Sequence, residues 1–126
     1  MEFNMKEVGF STELPYGRLD VSGNEEFGFR PYQLLVSSIA VCSGGVLRTI
    51  LKKQRMTFDD LHIKADIERN EEKAGRIEKI HLHFTIVSSD LDDKKMQKAI
   101  DLTTKNCSMV QSVIESIEIT KTFEIK

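Results

Sequence analysis

Cys42 and Cys107 are the residues of this 126-residue sequence best suited to covalent chemistry. A thiolate is a strong nucleophile, and two thiols can store and release an electron pair as a disulfide. Cytosolic thiol buffers keep ordinary pairs reduced, so a pair at work inside a cell forms a transient, functional bond rather than a permanent staple. Residue type alone leaves a second reading open, because a free cysteine on an apolar helix is commonly a small buried hydrophobe. Three histidines, His62, His81 and His83, fall on the polar faces of two predicted strands. No cysteine or carboxylate joins them at tight ligand spacing, so solvated imidazoles are the simpler reading, and neither a metal site nor a cofactor is assigned.

The elements that must position the cysteines follow from hydrophobic spacing. Pro31 suits the first turn of a helix, where its missing N–H is harmless. From there Leu35, Ile39, Cys42, Val46 and Ile50 recur at helical intervals, which predicts a long helix with Cys42 on its buried face. Leu34, Val41, Leu47 and Leu51 cover other sides, so the helix is expected to be surrounded by protein until it becomes charged from Arg48 to Arg55. Gly44 and Gly45 disfavour helix and predict either a close approach by another element or a local kink. Before this helix, Glu2 to Val8 and Arg18 to Val21 read as a hairpin turned at Leu14-Pro15-Tyr16-Gly17. After it, alternation at Leu61–Ile67 and Ile80–Ile86 predicts two half-buried strands joined by the polar link 70–75. Met96, Ala99, Ile100 and Thr103 mark a second helix over 92–105, Asn106 interrupts it, and Cys107 opens a short further helical segment. Ile117, Ile119, Phe123 and Ile125 give a last strand. The prediction is one α+β domain over residues 1–126.

Composition excludes several function classes. A formal net charge of −2 with 30% charged residues of both signs gives no basic footprint for nucleic acid. The uncharged run from Pro31 to Leu47 includes Gln33, three serines and two glycines, which is short and polar for a membrane span of about 20 residues. The start of the chain lacks the cationic and apolar regions of a secretory signal, so a cytoplasmic protein is expected.

Pro31-Tyr32-Gln33-Leu34-Leu35 leading to Ala40-Val41-Cys42, followed much later by Asn106-Cys107-Ser108, resembles the OsmC/Ohr family, the osmotically inducible and organic hydroperoxide resistance proteins. The order of elements matches along nearly the whole chain. The resemblance implies an intertwined homodimer, with antiparallel sheets wrapped around two long central helices and active sites at the subunit interface. It further implies that Cys42 attacks a small organic or inorganic hydroperoxide, that Cys107 captures the resulting sulfenic acid as a disulfide, and that an external dithiol restores both thiols.

The sequence departs from that pattern at the polar partners of the attacking sulfur. The family's peroxidases carry a glutamate directly after the helix-opening proline, where this chain has Tyr32, and an arginine in the first hairpin, whose tip here contains none. Arg18 and Arg30 are the candidate substitutes, and Tyr32 can donate a hydrogen bond in place of the ion pair. A thiol in mid-helix gains little from the helix dipole, so Cys42 needs a cationic neighbour. The alternative is a non-catalytic dimer of the same fold that binds an apolar or thiol-reactive small molecule. Inert cysteines in a structural dimer are the third possibility.

Overall fold

A computed structural model describes Met1–Lys126 as two compact units, Met1–Ser37 and Ser38–Lys126, whose boundary falls inside the long helix α1 (Pro31–Lys53). The first unit is a three-stranded antiparallel meander of β1 (Asn4–Met5), β2 (Phe10–Glu13) and β3 (Arg18–Val21), followed by the opening turns of α1. The predicted tip is present: Leu14 and Gly17 exchange backbone hydrogen bonds of 3.0 Å around Pro15-Tyr16. The strand that pairs with β3 is, however, β2 rather than the predicted 2–8 segment. Gly9 accounts for the difference. Its φ of +80° and the bond from Lys6 N–H to its carbonyl make a turn that cuts the segment into two strands. A Cβ at this position would lie 2.4 Å from the Val21 carbonyl oxygen, so only glycine fits.

The second unit contains the remainder of α1 and a sheet of β4 (Asp60–Asn70), β5 (Arg76–Val87) and β6 (Glu118–Ile125) in that order. β4 and β5 form an antiparallel hairpin closed through a 3-10 turn at Glu71–Lys73, where Ala74 and Gly75 take left-handed conformations. β6 runs parallel to β5, and a parallel pair needs a long crossover. Helices α2 (Asp93–Asn106) and α3 (Ser108–Val113) supply it. The strand register aligns four rows on one face of the sheet: Leu61/Ile86/Ile125, Ile63/Phe84/Phe123, Ala65/Leu82/Lys121 and Ile67/Ile80/Ile119. The β5 members of all four rows are fully buried, as are Met96 and Ala99 of α2 and Val110 of α3. This is the core of the unit, and its burial of apolar surface is the main force holding α2, α3 and the sheet together.

On α1 the buried line runs through Val36, Ile39, Ser43, Leu47 and Leu51, one residue away from the predicted Leu35–Cys42–Ile50 line. Leu35 is exposed, and Cys42, Val46 and Ile50 are half-buried. A helix apolar on several sides does not announce its phase, and here small side chains decide it. Gly44 is buried so closely against β4 that a Cβ would meet Ile63 Cδ1 at 2.6 Å, whereas Gly45 has open space beside it.

Candidate active site

Cys42 and Cys107 come together in the second unit, each placed by a local feature of its own element. Ile39, Ser43, Leu47 and Leu51 seat α1 in the core, which leaves the neighbouring Cys42 half-exposed. Cys107 closes α2 and opens α3 at the same time. Its N–H donates to the Thr103 carbonyl (2.9 Å), its φ and ψ of −85° and 109° are extended, and its carbonyl accepts from Gln111 N–H (3.0 Å). Asn106 reinforces this break by donating its side-chain amide to the Leu102 carbonyl (2.8 Å). The break between the helices turns the Cys107 thiol into the core, where it is completely buried.

The sulfurs share a small hydrogen-bonded cluster. The buried Ser43 hydroxyl donates to Cys107 Sγ (3.6 Å), and Cys42 Sγ lies 3.8 Å from Ser108 Oγ. The Cys42 thiol is held below its usual range, chiefly because the Cys107 side chain hydrogen-bonds to it. The backbone N–H of Met109 adds to this, burial opposes it, and the hydroxyl and backbone N–H of Ser108 contribute the remainder in the lowering direction. Donors stabilise the anion more than the neutral thiol, so the cluster favours a thiolate at Cys42 with a second thiol beside it. Both cysteines are free, which corresponds to the reduced state. Chemically, two thiols so placed can form and release a disulfide.

A further side chain near the thiols was not singled out in the sequence. Lys121 of β6 occupies the sheet row of Ala65 and Leu82, and its ammonium donates to Thr104 Oγ1 of α2 at 3.0 Å. Burial lowers its proton affinity, while the charges of Cys107 and then Cys42 act to raise it. A signal for it was present. Lys121 keeps the same alternation as Ile117, Ile119, Phe123 and Ile125, and a charge in the apolar phase of a strand needs a reason.

The other predicted candidates lie in the first unit. Arg18 donates from Nε to Asp20 Oδ1 (3.1 Å), and Lys6 meets the same carboxylate oxygen at 3.0 Å; together they hold the Asp20 carboxyl below its usual range. Arg30 places its guanidinium 4.9 Å from the ring centroid of Tyr32, a cation–π pair at the start of α1. Two of the three histidines are hydroxyl-bonded on the outward face of the sheet. His81 contacts Thr120 Oγ1 (2.6 Å) and Thr122 Oγ1 (2.9 Å), and His83 contacts Thr122 Oγ1 at 2.7 Å.

Comparison with known proteins identifies the family and its fold. The model of the OsmC-like protein family matches residues 22–122, a span that includes both cysteines and Lys121. Protein YhfA of Escherichia coli K12 is 30% identical over 96 residues, 75% of this chain and 72% of that protein. A hypothetical protein from Aquifex aeolicus superposes with a TM-score of 0.87 at 28% identity, covering 99% of this chain and 93% of the other. The OsmC-like protein from Mycoplasma pneumoniae shares the fold with a TM-score of 0.86 at 16% identity, over 98% and 94% of the two chains. From sequence match and fold together, this chain belongs to the OsmC-like protein family.

Proposed function

We propose that the protein is a thiol-dependent reductase of hydroperoxides, with Cys42 the attacking and Cys107 the resolving thiol. The observation that carries this reading is the cluster the two sulfurs share, in which Cys42 Sγ lies 3.8 Å from Ser108 Oγ and the neighbouring Ser43 hydroxyl donates to Cys107 Sγ at 3.6 Å. In the first step the Cys42 thiolate attacks the outer peroxide oxygen. An S–O bond forms, the O–O bond breaks, and the departing alkoxide takes a proton from water to leave as alcohol. In the second step the Cys107 sulfur attacks the sulfenic sulfur. The S–S bond forms, the S–O bond breaks, and hydroxide leaves with the Cys107 proton as water. An external dithiol then returns two electrons and two protons to the pair.

The two roles separate in a Cys107→Ser variant. With cumene hydroperoxide it retains the first step, so dimedone traps a sulfenic acid on Cys42 while turnover with dithiothreitol falls sharply. Full turnover by this variant, or dimedone on no cysteine, contradicts the assignment.

The active form is a homodimer in this reading. Its support is the surface of α1, which is long and apolar enough to cross a membrane although only a third of its most apolar window is buried within the chain. Val41 is 71% exposed on this helix, and Phe3, Phe10 and Phe29 of the first unit are exposed as well. Patches of this kind on a soluble protein mark a partner surface, and a second copy supplies it here. Val41→Glu puts a carboxylate where a lone chain tolerates it and an interface does not. Light scattering should therefore fall from twice the 14.4 kDa chain mass to a single chain mass in this variant. A wild-type protein that is already one chain at micromolar concentration sinks the dimer.

The pairings of Arg18 with Asp20 and of Arg30 with Tyr32 favour one rival reading, a small-molecule binder of the same fold without turnover. Saturable ligand binding with no peroxide loss distinguishes it.

A further inference from the structure

Three facts about Lys121 belong together. It is the one charged residue in the four inward rows of the β4–β5–β6 sheet, in a row whose β5 member, Leu82, is fully buried. Its ammonium makes one hydrogen bond, to Thr104 Oγ1, and no carboxylate lies within ion-pair distance of it. Thr104 stands in the last turn of α2 next to Thr103, whose carbonyl holds the Cys107 N–H, so the bond draws the ammonium toward the end of the helix that presents the thiol. A half-buried ammonium with one neutral acceptor is poorly compensated for the water it has lost. The titratable groups that act on it are Cys107 and Cys42, and a thiolate there supplies the missing counter-charge.

We propose that Lys121 is the cation of the thiol site, balancing the single negative charge shared by Cys42 and Cys107 in the reduced protein. It acts through the sulfurs as a positioning residue, and it comes from β6 of the same unit rather than from the first hairpin. Oxidation to the disulfide removes the anion and leaves the ammonium without its counter-charge. Lys121 therefore favours the reduced pair, and its loss tips the pair toward the disulfide in a fixed redox buffer. The inference rests on the reading of Cys42 as a thiolate nucleophile, but its test follows ionisation and needs no peroxide.

The experiment is iodoacetamide alkylation of the reduced protein across pH, with the rate at Cys42 resolved by peptide mapping. The wild type reaches its half-maximal rate below the pH of an ordinary cysteine. Lys121→Met keeps the length of the side chain without the charge and moves the midpoint upward. A shift of one pH unit corresponds to about tenfold slower alkylation below the midpoint. Lys121→Arg restores the wild-type midpoint. If Lys121→Met fails to fold by circular dichroism, Lys121→Gln, which keeps a donor for Thr104, is the neutral comparator. A neutral variant that is folded and has the wild-type midpoint overturns the proposal. Peroxide consumption is measured on the same samples. A shifted midpoint without consumption refutes the reductase and leaves Lys121 in its role, whereas consumption with an unmoved midpoint refutes the role of Lys121 alone.

Discussion

Cys42→Ser reduces hydroperoxide consumption to the uncatalysed background while the protein remains folded. The argument turns on which atom attacks. A serine hydroxyl is far less acidic than a thiol and is a poor nucleophile toward peroxide oxygen, so the donors that gather at this position have no anion to stabilise. The thermodynamic effect is small because Cys42 is half-exposed and lies off the buried line of α1. Substitutions away from the core usually change stability by no more than about 0.5 kcal/mol. Steady-state consumption of cumene hydroperoxide with excess dithiothreitol checks the first half, and urea unfolding checks the second. Residual turnover at a substantial fraction of the wild-type rate would move the attacking role to another residue.

The largest stability change is expected at Phe84. This side chain is completely buried in the middle of β5, with Ile63 of β4 on one side of its row and Phe123 of β6 on the other. Truncation to alanine removes the transfer free energy of the ring and leaves a cavity that a three-stranded sheet under two helices cannot close. Phe→Ala in such positions costs about 3–5 kcal/mol, against total stabilities of about 5–15 kcal/mol for ordinary domains. Urea unfolding of Phe84→Ala at the wild-type protein concentration should show an earlier midpoint with a similar slope, since the surface exposed on unfolding changes little. A loss below about 1 kcal/mol would mean that the sheet–helix layer is not the core of the second unit.

The sequence revealed some elements and concealed others for identifiable reasons. α2 was legible down to its buried residues, because Met96, Ala99, Ile100 and Thr103 stand out against charged neighbours at helical spacing. The break at Asn106 and the placement of Cys107 at the start of α3 were legible too, from a residue that readily caps. The phase of α1 was not, since apolar side chains on several sides fit more than one face and Ser43 and Gly44 do not look like core residues. β2 was hidden by Gly9, whose positive φ divides what reads as one strand followed by a loop. At the site, the cysteine pair follows from the family pattern, whereas the same pattern points to arginines near the hairpin as the cation. Arg18 and Arg30 have partners within their own unit, Asp20 and Tyr32. Lys121, which we propose as that cation, is concealed because strand alternation shows itself through its apolar members and not through the exception among them.

The central claim is that Cys42 and Cys107 are one redox pair, and the bond between them is the direct measure of it. Reduced protein is exposed to a small excess of cumene hydroperoxide, quenched with an alkylating agent at successive times, and its cysteine peptides are mapped by mass spectrometry. The prediction is a Cys42–Cys107 disulfide within one chain that forms in step with peroxide loss and disappears on addition of dithiol. Thiols that remain free and alkylatable while peroxide persists would contradict it.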